Sequence, residues 1–265
     1  AHAALADPTL GQLLHEERSA RVGLDLASTS EVTTDVRIRD WRFALDASSG
    51  TYQANIVGRE LAFDLRFAPN GPVILQGEGG YSRKGPRPEQ ASYYYSRPQV
   101  KVSGRIERRG QAFDVRGTAW LDHEWSSEVM APTAQGWDWI GISLHDGGAI
   151  MAFRMRDAMG ASLWSAASVV ALNGTKRAVA AEALRFTTKR TWKSPRTGGD
   201  YPVAMRVDVG AMSIDLVPLM DDQELDSRAS VGMVYWEGAV KAIVNGIEVG
   251  RGYLELTGYL RRVRL

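Results

Sequence analysis

The chain of 265 residues contains no cysteine, and its four histidines are scattered along the sequence. The absence of cysteine excludes disulfide bonds, thiolate nucleophiles, iron–sulfur clusters and cysteine-ligated zinc. The histidines show no recognisable ligand spacing, so we predict no metal site. The compartment is not defined by these absences, because a protein without cysteine is compatible with the cytosol and the periplasm alike.

Long apolar runs and an excess of one charge are also missing. No stretch approaches 18 consecutive apolar residues, so the sequence predicts no membrane-spanning helix. The 32 basic and 31 acidic residues leave a net charge of +1, which argues against nucleic acid as a partner. The first five residues lack the basic and long apolar regions of a signal peptide.

What the sequence does contain is a two-residue hydrophobic period in many short segments. Turn signals such as Asn245-Gly246 separate these segments, which predicts an all-β fold with little helix. A helix is predicted over residues 7–18 alone. Asp7 can cap this helix, Pro8 suits its first position, and leucines recur at helical spacing.

Two blocks of the sequence resemble each other in the same order. Trp41, a turn, Tyr52 and a strand near Asp64 correspond to Trp192, a turn, Tyr201 and a strand near Asp215. A further hairpin over 104–120 corresponds to one over 238–255. This internal repeat predicts a duplicated β unit, divided as 1–133 and 134–265.

The repeat is not complete in the first half. The second half opens with a hairpin over 136–156 that has no counterpart before residue 36. A barrel without two of its strands would expose bare edges, so we expect that the first unit begins with a hairpin upstream of this chain.

The densest group of polar and aromatic residues lies between Trp120 and Trp139. On an extended strand, His123 and Trp125 project to one face and Asp122 to the other. Asp138 shares a face with apolar residues and lies opposite Trp137. A carboxyl group on an apolar face is paired, kept protonated or functional, and the spacing alone leaves these alternatives open.

Two further clusters are candidates for a binding pocket. Tyr235 and Glu237 share one face of an aromatic-rich strand, and Tyr93 and Tyr95 share one face of another. Aromatic residues on strands are also common as core, so neither cluster defines a site by itself. Phosphate-binding loops and the Gly-x-Ser-x-Gly elbow of serine hydrolases are absent from the sequence.

Several of these segments together resemble the carotenoid 1,2-hydratase family and the wider AttH-like group of bacterial proteins. The segments that carry the resemblance are 82–85, 119–126, 136–141, 221–228, 235–240 and 250–259. The resemblance covers nearly the whole chain, and it implies two lipocalin-like antiparallel β-barrel units in tandem.

The resemblance also implies a reaction, the addition of water to the terminal double bond of an acyclic isoprenoid without a cofactor. Protonation of an alkene needs a carboxyl group that stays protonated near neutral pH, for which we expect Asp138 or Asp122. His123 would act as base or orienting group. Aromatic faces would stabilise the carbocation, and we expect the substrate to contact Trp125, Trp137, Tyr93, Tyr95, Tyr235 and Glu237.

The family's fold serves other activities, so alternatives remain at this point. The chain is also compatible with a carrier of an apolar ligand, a pericyclase or cyclase, or an accessory protein of a transporter. The expected partner is an apolar small molecule, with peripheral membrane association and oligomeric state left open. Relatives in the resembled family often carry export signals, so the resemblance implies a periplasmic or secreted protein.

Overall fold

The computed structural model describes residues 1–128 and 130–263, and every structural statement below concerns these residues. Strands make up nearly all of the regular structure, and a three-residue 3-10 helix at Ala181–Ala183 is the exception among the described residues. No helix in this part of the chain has the length and apolar character needed to cross a membrane.

The strands form a short hairpin and two large antiparallel sheets. The hairpin consists of β1 (His2–Leu5) and β2 (Leu14–Glu17). The first sheet consists of nine strands: β3 (Ala27–Thr29), β4 (Asp35–Ile38), β5 (Trp41–Asp46), β6 (Thr51–Val57), β7 (Leu61–Ala68), β8 (Ile74–Leu75), β9 (Tyr81–Arg83), β10 (Ala91–Arg108) and β11 (Gln111–Glu128). The second sheet consists of ten strands: β12 (Gly136–Leu144), β13 (Ala149–Arg156), β14 (Ser162–Val170), β15 (Lys176–Val179), β16 (Leu184–Lys193), β17 (Asp200–Val209), β18 (Met212–Pro218), β19 (Glu224–Ser227), β20 (Met233–Val244) and β21 (Ile247–Leu256).

The helix predicted over residues 7–18 is wrong. Leu14–Glu17 is a strand that pairs antiparallel with His2–Leu5. The Asp7 side chain accepts a hydrogen bond from the backbone N–H of Thr9 at 2.8 Å, which closes a local turn instead of capping a helix. Leu14 is buried beside Trp41, so packing against the first sheet supports the strand.

The internal repeat is present in the order of the strands. In space the first sheet runs β11-β10-β7-β6-β5, and the second runs β21-β20-β18-β17-β16. The short strands β8 and β9 pair with β10, as β19 pairs with β20. The two sheets therefore contain the same five-strand meander, and the tandem lipocalin-like fold expected from the sequence is confirmed.

The second sheet continues beyond this shared meander, because β21 also pairs with β12, and β13, β14 and β15 follow. Within the described residues, β11 of the first sheet pairs with β10 alone. The chain passes from one sheet to the other between Glu128 and Gly136.

Turn chemistry fixes the long hairpins that carry the site. Asn245 and Gly246 join β20 to β21 and both adopt positive φ, at 50° and 80°. Arg109 and Gly110 join β10 to β11 in the same way, at 48° and 80°. Such two-residue turns match the twist of paired strands and set their register.

The largest core lies inside the second sheet. Its members are buried apolar side chains that alternate along the strands, among them Ile140, Ile142, Val203, Met205 and Leu254. The opposite face of β12, β13, β20 and β21 is turned outward from this core. Because the strand period is two, this second face carries a separate set of residues, and these form the candidate site.

Candidate active site between the two sheets

A cavity of about 790 Å³ lies between the β10–β11 hairpin, the outer face of the second sheet and the β1–β2 hairpin. Most of the side chains that alternate inward from the strands are aromatic or carboxylic. Its wall includes Trp120, Asp122 and Glu124 of β11, Trp137 and Trp139 of β12, Phe153 of β13, Tyr235 and Glu237 of β20, and Tyr253 and Glu255 of β21. This size and composition are typical of a small-molecule site.

Asp122 is held by three hydrogen-bond donors on one wall of the cavity. Tyr94 donates to Oδ2 at 2.7 Å, and Ser96 and the indole N–H of Trp120 both donate to Oδ1 at 2.6 Å. Burial raises the pKa of Asp122, and the three donors oppose this shift. The side chain is also accessible from the cavity. The three donors therefore fix the position of the Asp122 carboxyl group on this wall.

A hydrogen-bond chain connects this wall to the second sheet. Ser168 of β14 donates to Gln76 at 2.8 Å, and Gln76 donates to Ser96 at 3.0 Å. Ser96 in turn donates to Asp122. Gln76, Ser96 and Ser168 are all buried, so the chain fixes the position of Asp122 relative to both sheets.

Lys84 supplies a buried cation beside the acidic groups. Its Nζ lies 2.8 Å from Glu124 and packs over the rings of Tyr94 and Phe153, at 4.6 and 4.1 Å from their centroids. Burial lowers the pKa of Lys84, and the charge of Glu124 opposes this shift. The ion pair keeps Glu124 in place, and Ser92 also donates to this carboxylate.

The most unusual feature is a pair of facing glutamates, Glu237 and Glu255. They are cross-strand neighbours in the register of β20 and β21. Burial, followed by the charge of Glu237, raises the pKa of Glu255 to about 8. Burial also raises the pKa of Glu237, and Asp122 adds to this shift. The pKa values of both carboxyl groups are therefore raised, and their titrations are coupled.

Four residues predicted from the sequence to bind substrate line this cavity, and Trp125 is one of them. Trp137 and Tyr235 form part of the wall together with Glu237. The indole N–H of Trp137 is within hydrogen-bonding reach of Glu255, which lowers the pKa of that carboxyl group and limits the shift caused by burial. Burial raises the pKa of Tyr235, and the charge of Glu237 adds to this shift.

Asp138 does not lie in the cavity, which contradicts the expectation that it is a proton donor to the substrate. Its side chain is fully buried on the core side of β12, where Arg154 contacts Oδ2 at 2.6 Å and Arg156 contacts Oδ1 at 2.9 Å. The hydroxyl of Tyr259 also donates to Oδ1, at 2.9 Å. Two guanidinium groups hold Asp138 as a paired carboxylate, so we assign it a structural role.

His123, Tyr93 and Tyr95 lie on the opposite face of the β10–β11 hairpin from Asp122. The hydroxyl of Tyr95 lies 2.9 Å from Nδ1 of His123, and the ring of Tyr93 stacks on Trp125 with centroids 5.6 Å apart. Trp125 borders the cavity, but its ring belongs to this exposed outer cluster. The strand period separates His123 from the acidic groups, which contradicts its expected role as base.

The sequence interpretation missed Lys84, Tyr94 and Glu255 as members of the site. A signal for Glu255 was present, since Tyr253 and Glu255 repeat the Tyr-x-Glu spacing of Tyr235 and Glu237. Lys84 lies in segment 82–85, which contributes to the family resemblance, but no pattern placed it beside Glu124, 40 positions later. These groups meet through strand pairing and the packing of the two units.

The fold and the cavity define a protein of two lipocalin-like β units with an acidic, aromatic site between them. The AttH-like family model matches residues 1–259, and the chain belongs to this family. The crystal structure of an AttH protein from Nitrosomonas europaea is similar, with a TM-score of 0.92 and 48% identity over 97% of this chain and 80% of that chain.

More distant structures share the fold. Kievitone hydratase from Nectria haematococca has a TM-score of 0.70 and 19% identity over 88% of this chain and 73% of that chain. The protein CghA has a TM-score of 0.50 and 11% identity over 87% of this chain and 73% of that chain. No curated protein matches the sequence.

Proposed function

We propose that the protein is a hydratase-like enzyme that adds water to a double bond of an apolar small molecule by acid–base catalysis. The observation that carries this proposal is the facing pair Glu237 and Glu255 in a cavity with aromatic walls. A hydratase of the same fold supports the reaction class.

A glutamate pair that holds one proton at the working pH contains both an acid and a base. The protonated carboxyl group of Glu255 donates its proton to one alkene carbon, and the other carbon becomes a carbocation. Water attacks the cation, and the ionised Glu237 accepts the proton that the water loses. The pair then holds one proton again, with the roles of the two residues exchanged, and the net change is the addition of one water molecule.

The cavity walls can stabilise the positive charge that develops during this reaction. The rings of Trp137 and Tyr235 border the same space as the glutamates, and aromatic faces attract cations. On the facing wall, Asp122 is fixed in place by its three hydrogen-bond donors. The pair Lys84–Glu124 balances part of the acidic charge and keeps that wall ordered.

We further propose an isoprenoid of the carotenoid type as substrate. The resemblance of the chain to carotenoid 1,2-hydratases supports this class, and so does a wall in which indole and phenyl rings surround a few carboxyl groups. A trisubstituted double bond suits the mechanism, because its protonation yields a tertiary cation.

The test is incubation of the purified protein with acyclic carotenoids and shorter terpenes, with mass spectrometry as the readout. We expect a product heavier by one water molecule, and in ¹⁸O-labelled water the new hydroxyl group should carry the label. Glu255→Gln should abolish the product, whereas Glu89→Gln, at an exposed position, should leave it unchanged. The absence of product from the whole substrate panel would contradict the proposal.

The same experiment separates an enzyme from a carrier of an apolar ligand. A carrier would retain its ligand unchanged in both wild type and Glu255→Gln, and solvent extraction would recover that ligand. Unaltered ligand in every extract, together with no labelled product, would therefore favour the carrier.

A further inference from the structure

A second cluster of polar side chains lies at the β1–β2 hairpin, beside the cavity. His2, which also borders the cavity, is the cross-strand neighbour of Glu17, and His15 lies two residues before Glu17 on the same face of β2. The sequence separates these histidines by 13 positions, and the antiparallel register brings them together. This placement is not visible from spacing along the chain.

The three side chains converge through the atoms that bind metals. Nδ1 of His2 lies 3.0 Å from Nε2 of His15 and 3.8 Å from Oε2 of Glu17. One ligand atom from each residue lies within 4.8 Å of the others. A tetrahedral zinc ion with bonds of about 2.0–2.1 Å separates its ligand atoms by about 3.3 Å. The observed distances lie on either side of this value.

Hydrogen bonds within the cluster and from neighbouring serines hold the three side chains in place. Ser230 donates to Oε2 of Glu17 at 2.7 Å, and the hydroxyl of Ser227 lies 3.3 Å from Nδ1 of His2. Such contacts orient metal-binding side chains. Among the described residues, no lysine or arginine forms an ion pair with Glu17. The nearby Asp226 is instead paired with Arg228 at 2.5 Å.

A comparison within the chain shows how a satisfied histidine–carboxylate pair differs. His145 lies 3.4 Å from Glu248, but Glu248 also contacts Arg251 at 2.6 Å and Lys241 at 3.5 Å. Two cations neutralise Glu248, and no second imidazole is among its ion-pair partners in the described part of the chain. In the described part of the chain, Glu17 instead pairs with His2, has His15 nearby, and pairs with no lysine or arginine.

We propose that His2, His15 and Glu17 bind one divalent transition-metal ion of the zinc class. Two imidazoles and a carboxylate suit this class of ion, and the three protein ligands leave a fourth position for water or a substrate oxygen. The ion closes the β1–β2 hairpin beside the cavity. The site is separate from the glutamate pair and does not depend on the hydration reaction.

The test is calorimetric titration of the full chain with Zn²⁺ alone, after treatment with a chelator and dialysis. We expect one equivalent to bind with micromolar affinity or tighter. His15→Gln removes a ligand and should weaken binding by more than about 100-fold. His145→Gln is the matched control, and it should bind zinc as the wild type does.

A second measurement separates loss of the site from loss of the fold. Zinc should raise the melting temperature of the wild type and of His145→Gln, but not that of His15→Gln or Glu17→Gln. The circular dichroism of each variant without metal reports whether the sheets are intact, and Glu17→Gln replaces His15→Gln if the latter does not fold. Binding that is absent, or equally strong in the folded ligand variants, would overturn the proposal.

Discussion

Glu255→Gln should change how the stability of the protein depends on pH. Burial and Glu237 raise the pKa of Glu255 from 4.5 to about 8, so the folded state holds a proton that the unfolded chain releases above pH 4.5. Stability from this group is fully present below pH 4.5 and is lost as the pH rises towards 8. At pH 7 the loss is about 3–4 kcal/mol, from about 1.4 kcal/mol per pH unit over about 2.5 units.

The assay is thermal unfolding of wild type and variant from pH 5 to pH 8. A glutamine cannot ionise, so the melting temperature of the variant should rise relative to that of the wild type by about 6 °C or more between pH 5 and pH 7. The comparison uses the change with pH, because the amide also alters local hydrogen bonding equally at every pH. Glu89→Gln should follow the wild-type curve. Parallel curves for Glu255→Gln and wild type would refute the assignment of a raised pKa.

Three other predictions concern the site and its support. Activity, measured as kcat/KM against pH, should fall as the pH rises above about 8, because Glu255 then loses the proton that it would donate. A flat profile up to pH 10 would exclude Glu255 as the acid. Asp138→Asn should destabilise the fold by about 3–5 kcal/mol in urea unfolding, since it leaves Arg154 and Arg156 without their carboxylate; a variant of normal stability without turnover would restore Asp138 as a catalytic candidate. Gly252→Ala should also lower stability, by about 1–3 kcal/mol, because its Cβ would clash with the carbonyl oxygen of Gly141 on β12. An unchanged melting temperature would show that β21 can move away.

The residues around Asp138 show how far sequence patterning reaches. The two-residue period correctly placed Asp138 with Ile140 and Ile142 and placed Trp137 on the other face. It could not tell which face of β12 lines a cavity, because both faces are covered. The core of the second sheet lies on one face, and the first unit lies on the other. The arginines that neutralise Asp138 are contributed by β13, at positions set by strand register.

The same distinction applies to the whole protein. Local alternation, turn residues and the repeated order of motifs determined an all-β chain of two similar units, because these features depend on neighbours in sequence. Tertiary structure alone decided that Glu237 faces Glu255, that Lys84 meets Glu124, and that His123 is excluded from the cavity. Each of these features depends on how strands that are distant in sequence pair and pack. A short segment of sequence does not determine that pairing.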